Sequence, residues 1–160
     1  QSSYTFQACF TENGTVLIVD PGNGVAEINP SDGSLVRRYE EGIRVDFIGT
    51  AGKMLFTIQD QTLHGYDLDT GKPLDNISAL TEQIQSDEQD VNWTTTSSFP
   101  LMFLKGDEDN SLFYIDHTGV YRYVLGGSTV EQIIDGSLNS LSSPDTGTVA
   151  WGQDLSLIHI

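Results

Sequence analysis

The chain has 160 residues, with 23 Asp and Glu against 7 Lys and Arg and a formal net charge of −16. That length suits about one domain, and 38% hydrophobic with 19% charged residues is a globular composition rather than a disordered one. The charge excludes a nucleic-acid backbone binder and argues against docking on anionic lipid, since both need clustered basic side chains; no apolar run approaches the ~18–20 residues of a membrane helix.

The first ten residues, QSSYTFQACF, carry neither a basic stretch nor an apolar one, so no signal peptide is read there. Cys9 is the sole cysteine, which excludes an internal disulfide and any multi-cysteine metal site. It is read as a small hydrophobe in a buried strand.

Strand signals then follow one another. Short runs rich in Val, Ile, Phe, Tyr and Thr alternate with Gly, Asn, Asp and Pro at a spacing of about 8–12 residues. Strands are predicted at Tyr4–Phe10, Thr15–Asp20, Val25–Asn29 and Leu35–Tyr39, then at Arg44–Gly49, Lys53–Gln59, Thr62–Leu68 and Pro73–Ile77. A third set falls at Phe99–Leu104, Leu112–Asp116, Val120–Leu125 and Thr129–Ile134, and the chain closes with Leu138–Leu141 and Thr148–Trp151. Asp32-Gly33 reads as a hairpin turn, with Thr70-Gly71 and Gly126-Gly127 in the corresponding places and Asn13-Gly14 and Asn23-Gly24 as two more.

An internal repeat decides the predicted fold. Gly14–Tyr39 aligns without a gap on Gly52–Ile77, so that Ile18 falls on Phe56, Val25 on Leu63, Ile28 on Tyr66 and Gly33 on Gly71. Asn110–Ile134 gives a third copy, one residue shorter. Four antiparallel strands per unit of about 40 residues is the signature of a β-propeller blade. The expectation is therefore an all-β, incomplete β-propeller of three to three and a half blades, at residues 4–39, 44–77 and 99–134, with the next begun at 138–151. Such a run cannot close a ring of at least about four blades, so poor folding in isolation is expected. Residues 78–98 interrupt the period as an insertion: Ser78 caps a helix of one or two turns, with Leu80 and Ile84 as its apolar stripe, and a polar loop carrying Trp93 follows.

No chemistry-bearing motif emerges. Asp107-Glu108-Asp109 with Ser111 is read as a solvated hairpin tip rather than a calcium loop. Asp67 and Asp69 are read as turn residues. His64, His117 and His159 have no nucleophile or metal partner fixed by spacing, and no G-x-S-x-G elbow or phosphate-cradling glycine loop is present. Trp93, Phe99, Phe103, Phe113, Tyr114, Tyr121, Tyr123 and Trp151 are read as core and blade packing, with Trp93 the exception. No catalytic, cofactor or metal residue is nominated, and the chain is read as no enzyme.

Three resemblances add to this. The turn strings Asn29–Leu35 and Asp67–Leu74 resemble quinoprotein-type propeller repeats, but Tyr39 and Asn76 fall near the place of the docking tryptophan, so only the fold carries over. Val120–Ser128 with Val130–Leu138 resembles a region of clostridial extracellular solute-binding proteins, over about Gly119–Ser142. That resemblance implies a non-catalytic, extracytoplasmic scaffold or recognition region of a Gram-positive cell-surface lipoprotein. Its implied partners are an ABC-transporter permease and a small solute, often a sugar, held by a downstream domain; the lipid anchor would lie upstream of Gln1. A carbohydrate-active propeller enzyme and a stand-alone protein-interaction propeller are the alternatives. Finally, Leu155–Ile160, LSLIHI, resembles a translated transposase adapter, which would make residues 155–160 a non-native tail and leave His159 without functional weight.

Overall fold

The computed structural model describes residues 7–60, 62–87, 102–106, 110–116, 119–135, 138–142, 149–152 and 157–159. Trp93, Asp107, Glu108, Asp109 and His117 lie outside the described residues, as do residues 4–6 and 99–101 of two predicted strands. The chain divides into two compact units, Gln1–Leu74 and Asp75–Ile160.

The first unit holds two antiparallel meanders. Strands β1 (Ala8–Phe10), β2 (Val16–Val19), β3 (Val25–Ile28) and β4 (Leu35–Tyr39) form a four-stranded sheet in chain order. Strands β5 (Phe47–Ala51), β6 (Met54–Gln59) and β7 (Thr62–Asp67) form a three-stranded one. Alternation along the strands gives each sheet two faces. Leu17, Val19, Val25 and Tyr39 of the first sheet pack with Val45, Ile48, Leu55 and Leu68 into one core, with Cys9 and Tyr66 against it.

Several sequence expectations are corrected here. The strand predicted at Pro73–Ile77 is a single bridge, Tyr66 to Pro73, extended by the Leu74 amide on the Gly65 carbonyl. Pro73 has no N–H to donate, so the ladder stops and the chain turns away. Strand β5 begins at Phe47, three residues after the predicted Arg44. The gapless repeat is also out by one in its second strand. Val19 pairs with Val25, and Ile58 pairs with Leu63, which makes Leu17 rather than Ile18 the counterpart of Phe56. The cause is the longer β2–β3 turn. Its Asn23 amide bonds to the Asp20 carbonyl, with Pro21 second and Gly22 third at φ 77°, as a type II turn demands. The Asn23-Gly24 dipeptide follows this turn rather than making it.

Asp32-Gly33 is likewise not a two-residue hairpin. The Asn29 amide bonds to the Ser34 carbonyl, so four residues make the loop and only Gly33 is left-handed, at φ 73°. The second meander repeats this device: Gly71 also has φ 73°, and the Asp67 amide bonds to the Lys72 carbonyl. The side chains of Asn29 and Asp67 brace both loops, accepting from Ser31 and Thr70.

The second unit contains α1 (Ser78–Asp87), the sheet β8 (Met102–Lys105), β9 (Ser111–Asp116), β10 (Gly119–Val124) and β11 (Glu131–Asp135), and the sheet β12 (Leu138–Ser142), β13 (Val149–Gly152) and β14 (Leu157–His159). At ten residues the helix is longer than the predicted one or two turns. Ser78 is its first residue, and Ile77 supplies the first acceptor carbonyl, to Thr81. Ile77, Leu80 and Ile84 are buried, a stripe long enough to anchor the extra turn. Phe103, Phe113, Tyr114, Tyr121 and Tyr123 are buried, as core packing requires, and Tyr114 stacks on its cross-strand neighbour Tyr121 at 4.8 Å. The Tyr123 hydroxyl and the Gly126 amide both donate to the Asn76 carbonyl, which ties the start of the helical segment to the β10–β11 turn. His159 lies in β14, which pairs with β13.

Candidate functional site

Two acidic residues that the sequence did not single out organise the first unit. Alternation runs Val25 and Glu27 inward, Ala26 and Ile28 outward, so Glu27 shares the core face and is 2% exposed. Burying a carboxylate is costly unless its oxygens are paired. Here Oε1 accepts from the Thr15 hydroxyl at 2.7 Å, and Oε2 accepts from the Tyr39 hydroxyl at 2.9 Å with Arg37 Nε at 3.4 Å. Glu40 ends the same sheet in a left-handed conformation, φ 52°. Its carboxylate reaches the second meander, accepting from the Tyr66 hydroxyl and lying 3.1 Å from His64 Nδ1.

The rings of Tyr39 and Tyr66 meet at 5.2 Å and join the two clusters. Burial, and then the carboxylate that each phenol faces, push both phenols well above the ordinary tyrosine range. Cys9 sits beside this core; burial pushes its thiol up to about 11, only partly offset by a hydrogen bond with Thr50. Asp69 holds Lys53 at 2.8 Å and accepts from Asn13 at 3.0 Å, so with Asp67 it serves the turns.

Thr57, His64 and Glu40 are the residue types of a nucleophile, a base and an orienting acid. Thr57 and His64 are direct cross-strand partners. The Thr57 hydroxyl, however, is fully buried and has no hydrogen-bond partner, so it is not engaged by His64. The trio is packing between two sheets, not an assembled triad. Among the described residues, no group of three or more His, Cys, Asp or Glu is placed to hold a metal, and no helix there is long and apolar enough to cross a membrane.

The surface holds a second feature. The outward face of β1–β4 carries Ala8, Phe10, Val16, Ile18, Ala26, Ile28 and Leu35, with Arg38 at its edge. One cross-strand row, Phe10–Val16–Ile28–Leu35, runs the width of the sheet. Phe10 is 75% and Leu35 54% exposed. A sheet with one solvated face is normally polar on that face. Sequence alternation contained this signal, but the one-sided reading of each strand concealed it.

No protein-family model matches the chain, and no curated protein matches it. Solved structures do. The computationally designed Ika4 protein is 13% identical, covering 99% of this chain and 91% of its own, with a TM-score of 0.55. The C-terminal WD40 domain of Sif2 is 11% identical over 100% of this chain and 45% of its own, at 0.58. A chain of the mitotic checkpoint complex is 9% identical over 100% and 50%, at 0.57. This chain thus spans about half of the latter two. At such identities the likeness shows the fold alone, and it agrees with the meanders described above: the chain is a nearly all-β run of β-propeller blades, amounting to part of a ring.

Proposed function

We propose that this chain is a non-catalytic recognition and scaffold region built from propeller blades. The observation that carries the reading is the outward face of β1–β4: an apolar surface whose charged groups are the Arg38–Asp20 pair at its edge, on a chain of net charge −16. Such a face suits a protein surface rather than a small polar substrate. The buried carboxylates Glu27 and Glu40 are committed to internal partners, which favours scaffold over general acid–base work.

The setting that we propose is an extracytoplasmic solute-binding lipoprotein of a Gram-positive surface, whose downstream domain would pass a solute to an ABC transporter. Its support is the resemblance of Gly119–Ser142 to that group. The test is to read the gene in frame on both sides of this sequence. A two-lobed α/β domain downstream supports the setting. Further blades followed by a stop codon overturn it in favour of a stand-alone interaction propeller. Turnover of a polysaccharide by the chain overturns the non-catalytic reading itself.

A further inference from the structure

We propose that Asn13-Gly14 is a self-modification site: the Asn13 carboxamide is converted to a carboxylate in the folded chain, and the change loosens the tie between the β1–β2 turn and the second meander. Asn23-Gly24 is the same dipeptide, and the fold holds it unreactive.

The chemistry needs only the dipeptide and water. The Gly14 backbone nitrogen, having lost its proton, attacks Asn13 Cγ. The new N–C bond closes a succinimide ring, and Nδ2 leaves as ammonia. Water then opens the ring. Cleavage of the new bond gives aspartate; cleavage of the original peptide bond gives isoaspartate, with the main chain running through the former side chain. Glycine favours the attack because it has no side chain to crowd it.

The attack requires the glycine amide to leave its hydrogen bond and the peptide to rotate towards Cγ. At Asn13 little opposes this. The turn is exposed, Gly14 has φ 77°, and a Cβ built there would meet nothing within 4 Å. The Gly14 amide is bonded inside the turn itself, to the Thr11 carbonyl at 3.0 Å, and exposed turns of this kind open locally. The carboxamide donates to Asp69 at 3.0 Å across solvent-exposed surface.

At Asn23 each requirement fails. The Gly24 amide donates to the Ile43 carbonyl of a distant segment at 2.7 Å. The Tyr39 and Glu40 carbonyl oxygens would lie 2.1 and 2.3 Å from an added Cβ, so the peptide has no room to turn. The carboxamide is gripped at both ends: Nδ2 donates to Asp20 at 3.2 Å, and Oδ1 accepts from the Gly42 amide at 3.3 Å.

Conversion of Asn13 removes a donor from Asp69 and sets a second carboxylate against it. The Asp69 carboxyl is held below its ordinary range, by Lys53 first and then by Asn13, so it meets the new charge as an anion. Isoaspartate also lengthens the chain inside a turn that the Thr11 amide and Thr15 carbonyl close at 3.0 Å. Thr15 is the residue whose hydroxyl supports the buried Glu27, so an exposed turn reports to the core.

Peptide mapping by tandem mass spectrometry on the full chain, aged in mildly alkaline buffer, tests this. Conversion replaces NH2 by OH, and the spectrum resolves the mass change at each site. In the native chain Asn13 should convert about tenfold or more faster than Asn23. In urea the two rates should converge, since neither amide is then held. Asn13→Gln should end conversion at position 13, because the longer side chain would need a larger ring. Equal rates at the two sites in the native chain, or a silent Asn13 that converts in urea, would overturn the site. Asn13→Asp should lower the folding equilibrium constant about threefold to tenfold against the parent by urea titration; a value equal to the parent's would overturn the loosening.

Discussion

Gly24 offers a sharp test of how the first two sheets are joined. A Cβ added there would lie 2.1 Å from the Tyr39 carbonyl oxygen and 2.3 Å from that of Glu40. Both atoms are backbone, so neither can swing aside. Gly24 also has φ 78°, and its amide donates to the Ile43 carbonyl at 2.7 Å. Gly22, two residues earlier, has φ 77° but open space around it. The pair separates two costs. Gly22→Ala should lose about 1–2 kcal/mol, the penalty for an L-residue in the left-handed region. Gly24→Ala carries that penalty plus the cost of forcing two backbone segments apart, typically about 1–3 kcal/mol for overpacking, so about 2–5 kcal/mol in all. The displaced segment includes Glu40, whose carboxylate holds Tyr66 and His64. Urea unfolding of both variants, with the His64 ring resonances followed by NMR, reads both effects. Equal losses in the two variants, or a loss at Gly24 with His64 unmoved, would refute the argument that this close approach positions Glu40.

Three further outcomes follow from the same core. Tyr39→Phe removes a donor from Glu27 while Thr15 and Arg37 remain, so unfolding free energy should fall by about 1–3 kcal/mol; a change within a few tenths would mean that Glu27 does not depend on the phenol. Tyr39 and Tyr66 should ionise only above the ordinary tyrosine value of about 10 on alkaline titration followed by phenolate absorbance, because burial raises both. A phenol whose value is higher folded than unfolded adds stability that is complete below the unfolded value and is lost as pH rises through the native one. The native state should therefore weaken above about pH 10, and six tyrosines titrating together in the folded chain would contradict this. Cys9, with its thiol pushed up to about 11, should alkylate far more slowly in the folded chain than in urea at pH 8; equal rates would place it outside the core.

The strands were legible because their signals are local. Leu35–Tyr39 stands where its residues predict, and most other strands differ only at their ends, since β-branched and aromatic runs between turn residues need no distant information. The glycines of the repeat were legible for the same reason: Gly33 and Gly71 share one left-handed conformation because their loops share one hydrogen-bond pattern. The errors arose where a neighbour decides. Pro73 cannot donate, so the last strand of the second meander shrank to a bridge. The helix after Ile77 extended because its buried stripe gained packing that its composition does not reveal.

The polar site was out of reach for a different reason. Glu27 occupies an inward position of β3, and a charged residue is ordinarily assigned to solvent; only Thr15, Tyr39 and Arg37, brought together across four strands, make its burial affordable. Glu40 and His64 come from different sheets, and no spacing in the chain links them. By itself, then, the sequence determined an acidic, nearly all-β chain of blade-like repeats, because alternation, turn chemistry and repeat period act over a few residues. Only the tertiary structure decided which carboxylates enter the core, which glycine cannot bear a side chain, and which apolar face is left open, because each depends on what a second sheet places against the first.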